Sequence, residues 1–184
     1  MTATDHRPPS WLLSAKAIDR RLSLARRPAY RYVFSAAIIS AVPVMIIITV
    51  AVFSGQLVLN ADRLVTNWRF GSQKLTLAMG VLDVVLLSPL VETGLTLIPI
   101  RLLRAVKTPP RMIPVICGLF WGLVHTNYNG TLLGLVAIWP FYCFTSALIA
   151  FEKPSLDQSW VIASSIHALH NIACLLVSVL LVRY

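Results

Sequence analysis

Glu92, His125 and His167 are ionisable side chains inside long apolar runs of this chain, and Asn171 follows His167 at a spacing of four. Such groups are costly in the middle of a membrane-spanning helix and usually face a partner or a cavity inside the bundle. A carboxylate beside an imidazole can take a proton from water, while an imidazole and a carboxamide can donate to a developing oxyanion. Peptide-bond hydrolysis needs these parts, held in a site dry enough to make their interactions strong. The i, i+4 spacing places His167 and Asn171 on one helical face, which His170 flanks. The competing reading is structural, because polar groups bond helices together in many membrane bundles.

Depth favours function for the set. At about 1.5 Å per residue, Glu92 lies about 13 Å before Arg101 and His125 about 20 Å beyond Arg111. His167 and Asn171 lie about 12 and 18 Å beyond Ser159. One layer of a bundle can hold all four. Asp83 has no such company and reads as structural, nearer the opposite leaflet.

Lipid is the solvent that these segments require. The 184 residues are 57% hydrophobic and 12% charged, with a mean hydropathy of +0.76, well beyond an ordinary soluble domain. The net charge of +9 comes from 16 Lys and Arg against 7 acidic residues. These cations flank apolar runs, a pattern that suits anionic headgroups and not nucleic acid. Cys117, Cys143 and Cys174 each sit in an apolar run without a CxxC pair, and read as small packing residues.

Five spans are expected, at residues 32–55, 75–100, 112–125, 131–151 and 160–182, preceded by a short interfacial amphipathic helix. That helix is carried by Trp11, Ala15, Ile18, Leu22 and Ala25 at 3 and 4 spacing. No cleavable signal peptide is evident, so the first span should persist as an anchor. Pro43 should kink it. The third span is short, about 21 Å, which implies local thinning or a wet mouth. Six Lys and Arg between Lys16 and Arg31, and four between Arg101 and Arg111, fall on one side. That asymmetry predicts a cytoplasmic N-terminus. The chain divides into a basic N-terminal segment (1–31), a first span with its loop (32–74) and a four-helix core (75–184).

Three motifs, in order and one per helix, resemble those of the CPBP family of intramembrane endopeptidases, which includes the CAAX proteases and abortive-infection-like bacterial proteins. SPLVETGLTLIPI carries Glu92, FWGLVH carries Trp121 and His125, and HALHN carries His167 and Asn171. The similarity covers roughly residues 75–182. It implies that Glu92 and His125 activate water and that His167 and Asn171 hold the oxyanion. Thr93 stands where the family has a second glutamate, and Leu97 where it has arginine.

The expected protein is therefore an all-α, polytopic bundle of a bacterial-type cytoplasmic membrane, acting on a membrane-associated protein or peptide. It needs no cofactor, metal or nucleic acid, and its other partners are lipids. Two alternatives stay open. One is a catalytically inactive scaffold or accessory subunit with this fold. The other is a zinc protease using Glu92, His125 and His167.

Overall fold

The computed structural model describes residues 29–53, 69–70, 73–74, 77–129, 132–153 and 155–182. The expected interfacial helix, most of the segment 1–31, and most of the connection after the first span lie outside the described residues. Helix α1 (Ala29–Phe53) is followed by two short strands, β1 (Arg69–Phe70) and β2 (Gln73–Lys74). They pair antiparallel, with Arg69 opposite Lys74 and Phe70 opposite Gln73. Next come α2 (Leu77–Leu82), a π-helical turn (Asp83–Leu87), α3 (Ser88–Ala105) and α4 (Met112–Asn129). A 3₁₀ segment (Leu132–Ala137) leads into α5 (Ile138–Phe151), and α6 (Leu156–Val182) closes the described chain.

Four helical stretches are long and apolar enough to cross a membrane: Ala29–Phe53, Met79–Ala105, Gly134–Phe151 and Leu156–Leu181. A shorter apolar helix, Met112–Asn127, lies among them. The protein is an α-helical integral membrane bundle. Large apolar side chains cover the outside of the bundle, as contact with lipid requires: Phe34, Ile38, Val50, Leu102, Leu123 and Leu180 are all well exposed. The packed interior is small by comparison, built on Phe144, Ile113, Leu148 and Ile166 with Thr93, Thr96 and Thr145 buried beside them. Small and hydroxylated residues at such contacts let helices approach closely where apolar area gives no driving force.

Several boundaries differ from the sequence expectation. The fourth element does not begin as an α-helix, because residues 132–137 form a 3₁₀ segment lying against α4. An ideal Cβ on Gly134 would come within 2.1 Å of the Thr126 backbone nitrogen and 2.4 Å of the His125 carbonyl carbon. Only glycine permits that approach. Helix α4 also runs past His125 to Asn129, with Thr126 Oγ1 bonding back to the Gly122 carbonyl at 2.8 Å. Pro43 lies inside α1.

Two contacts define one end of the bundle. Tyr32 meets Phe151 edge to face at 4.7 Å, and Arg104 pairs with Glu152 through two bonds of 2.6 Å. The start of α1, the end of α3, the end of α5 and the start of α6 therefore share this basic end. The turn joining α3 to α4 puts Lys107 at φ 59°, with the Thr108 N–H donating to the Leu103 carbonyl at 2.9 Å.

Candidate functional site

Glu92 extends from α3 between two imidazoles delivered by different helices. Its Oε2 lies 3.9 Å from His125 Nε2 on α4 and 3.8 Å from His167 Nε2 on α6. Both separations exceed a direct hydrogen bond, and one water lying beside the groups can bond to both. Glu92, His125, His167 and Asn171 all line one cavity of about 440 Å³, together with Ser88 and His170. The rest of the wall is largely apolar and includes Val44 and Ile48 of α1, Phe141 and Phe144 of α5 and Leu175 of α6. Counting along these helices, the cavity extends from the Glu92 layer towards the end where α1 and α6 finish, away from Arg101–Arg111.

Each polar side chain has a second group that orients it. Ser88, one helical turn before Glu92, donates to Glu92 Oε1. Thr96, one turn after, donates to the Glu92 carbonyl at 2.7 Å and accepts from Trp121 Nε1 at 2.9 Å, tying α3 to α4. His125 Nδ1 faces the Trp121 carbonyl at 2.9 Å. A carbonyl can only accept, so the proton is assigned to Nδ1, and Nε2 is turned to Glu92. Thr93 Oγ1 lies 3.4 Å from His167 Nδ1. The His167 ring is stacked on Phe144 at 4.2 Å and meets Phe141 edge to face at 5.3 Å. These two aromatic contacts fix the orientation of that imidazole.

Pro89 explains how Asn171 is held. Proline has no N–H and its ring collides with the carbonyl four residues earlier, so an α-helical ladder cannot pass through it unchanged. The chain responds with the π turn, in which the Ser88 N–H reaches Asp83 O, five residues back. Val84 O loses its usual donor, and Pro89 cannot replace it. Asn171 Nδ2 supplies the missing bond at 2.8 Å. One extra residue in the turn also sets the face on which Ser88 and Glu92 emerge. Asp83, read from sequence as structural, opens this turn half-buried and is not among the cavity residues.

All four sequence-chosen residues thus line the same cavity, with Asn171 one turn along α6 from His167. Sequence reasoning missed Ser88 and Thr96, although both stand at helical spacing of four from Glu92, where bonding partners are found. It read Thr93 only as a missing carboxylate, whereas its hydroxyl faces His167. The zinc reading meets a geometric difficulty. Bonds of about 2.0–2.1 Å at a tetrahedral angle put donors about 3.3 Å apart, closer than the separations at Glu92. Among the described residues, no set of three His, Cys, Asp or Glu side chains forms a metal-holding group.

At the basic end, hydrogen bonds from Arg104 hold the Glu152 carboxyl below its ordinary range, against the opposing effect of partial burial. The pair clamps α3 to the α5–α6 connection.

No protein-family model, no curated protein and no solved structure matches this chain.

Proposed function

We propose that this protein is a glutamate-dependent intramembrane peptide hydrolase of the CPBP type, cleaving a peptide bond of a membrane-associated protein or peptide. The observation that carries this reading is the approach of one carboxylate oxygen to two imidazole nitrogens, 3.8 and 3.9 Å away, on three separate helices. A water bonded to both Glu92 and His125 gives up a proton to this pair as its oxygen attacks the carbonyl carbon. The carbonyl becomes an oxyanion, and the proton returns to the amine as the C–N bond breaks.

His167 serves the oxyanion only if its proton is on Nε2. A Thr93 hydroxyl donating to Nδ1 selects that tautomer, so threonine has a function at this position that a carboxylate would fill differently. Asn171 uses one Nδ2 hydrogen on Val84 O and retains the other for the oxyanion. The apolar cavity wall suits a hydrophobic segment and strengthens each of these bonds by excluding water. We place the protein in a bacterial cytoplasmic membrane with its basic N-terminal segment inside, following the distribution of Lys and Arg.

A second reading, an inactive scaffold or accessory subunit, is favoured by Leu97. Where the family has arginine, this side chain is partly buried and packs against the apolar core. One experiment separates the two. Purified protein is reconstituted in liposomes with a mixture of membrane-inserted peptides, and new termini are read by mass spectrometry. Hydrolysis with the wild-type chain that vanishes in Glu92→Gln supports the hydrolase. Equal cleavage by both proteins refutes Glu92 as the base, and no cleavage by either favours the scaffold.

A further inference from the structure

His170 and Cys174 form a second reactive group in the cavity, and the hydrolytic reading makes no use of it. They stand one turn apart on α6, and Ser40 on α1 completes the group. Ser40 Oγ donates to the Ala37 carbonyl at 2.9 Å, which consumes its only hydrogen. Its remaining role towards His170 Nδ1, 3.2 Å away, is as acceptor. The proton is thereby assigned to Nδ1, leaving Nε2 with a free lone pair. Cys174 Sγ lies 3.6 Å from that nitrogen, at the distance of a thiol donating to an imidazole. The His170 ring is buried and is held edge to face against Phe144 at 5.6 Å. Nucleophile, base and orienting group stand in the order that activates a thiol.

The other two cysteines lack this arrangement. Cys117 is fully buried in the core, and Cys143 is half-buried beside it. Neither has a histidine within bonding distance among the contacts described, and neither lines the cavity. Cys174 does line it, beside Val44, Ile48 and Leu175. An apolar electrophile that partitions into the bilayer can therefore reach this thiol through the same space that holds Glu92.

We infer that Cys174 is a modification site, activated by His170, for apolar α,β-unsaturated carbonyl compounds. The sulfur adds to the β-carbon while His170 Nε2 takes the thiol proton and passes it to the α-carbon. One S–C bond forms, one C=C bond becomes single, nothing leaves and nothing is oxidised. The adduct occupies the cavity and blocks it. This inference stands independently of the hydrolase reading, because labelling is measured without any substrate.

The test uses the full-length protein in liposomes, a membrane-permeant N-alkyl maleimide as the probe, and mass spectrometry to follow each cysteine. Cys174 is expected to label about 10-fold or more faster than Cys143, and His170→Gln to slow it by about 100-fold, the lower end of the range for a positioned base. Ser40→Ala should slow it less, since it removes only the group that fixes the tautomer. Cys117 is the internal control for folding: its protection in each variant shows that the bundle is intact, and where His170→Gln exposes it, the Ser40→Ala comparison decides. Labelling of Cys174 no faster than Cys143, or a rate unchanged in folded His170→Gln and Ser40→Ala proteins, overturns the proposal.

Discussion

Gly134→Ala tests how His125 is positioned. The added methyl carbon would lie 2.1 Å from the Thr126 nitrogen and 2.4 Å from both the His125 carbonyl carbon and Thr126 Cα. All three atoms are backbone, so no side-chain rotation relieves the collision. An ordinary contact begins near 3.4 Å, so the 3₁₀ segment and α4 must separate by about 1.3 Å. Overpacking of this kind costs about 1–3 kcal/mol. For a chain of this size that lowers the unfolding midpoint by roughly 2–12 °C. If the protein is the proposed hydrolase, displacing His125 by about 1 Å relative to Glu92 should also reduce its turnover about 100-fold. Gly94→Ala is the matched control, because its methyl would meet only Trp160 Nε1, at 3.4 Å. Alanine is favoured over glycine in a helix by up to about 1 kcal/mol, so Gly94→Ala should be neutral or stabilising. The assay is thermal unfolding in detergent, followed by tryptophan fluorescence, with cleavage measured on the same samples. A Gly134→Ala midpoint equal to that of Gly94→Ala would refute the close approach and the positioning of His125 drawn from it.

Other expectations follow from single contacts. Asn171→Ala leaves Val84 O without its donor, and should cost about 1–3 kcal/mol in unfolding experiments. If Asn171 also holds the oxyanion, the same change lowers turnover by about two to three decades, measurable as kcat. Glu152→Gln should reduce stability at neutral pH by about 1 kcal/mol or less, since the pair with Arg104 is partly exposed. Its carboxyl is held below the usual range when folded, so the contribution is present above the unfolded value of about 4.3 and is lost as pH falls through the lower folded value. The difference between wild type and Glu152→Gln midpoints should therefore close in acid, and a difference constant from pH 7 to pH 3 would contradict the ion pair.

The spans were legible because lipid imposes a simple rule: charge-free runs of sufficient length must cross, and few alternatives bury them. The shared depth of Glu92, His125 and His167 was legible for the same reason, since helical rise converts residue number directly into height. Rotation about each helix axis was less legible. Pro89 is visible in the sequence, but that its response is a π turn, freeing Val84 O for Asn171, depends on α6 lying alongside. His170 shows the same limit. At i+3 from His167 it could face either neighbour, and only the packing of α1 turns it to Ser40 and Cys174. Gly134 likewise carries no periodic signal, because its role is to let two backbones touch.

The central claim, that one carboxylate meets two imidazoles from different helices, is open to direct measurement. Glu92 and Glu152 are the only glutamates in the sequence, so a Glu152→Gln chain carries a single labelled Glu Cδ. Solid-state NMR dipolar dephasing in liposomes then measures its distances to ¹⁵N in the histidine rings. With Oε2 at 3.8 and 3.9 Å from the two Nε2 atoms and a C–O bond of about 1.25 Å, dephasing should report two nitrogens within about 5 Å of Cδ. Dephasing by one ring alone, or by none, would contradict the assembled site and leave only a membrane bundle.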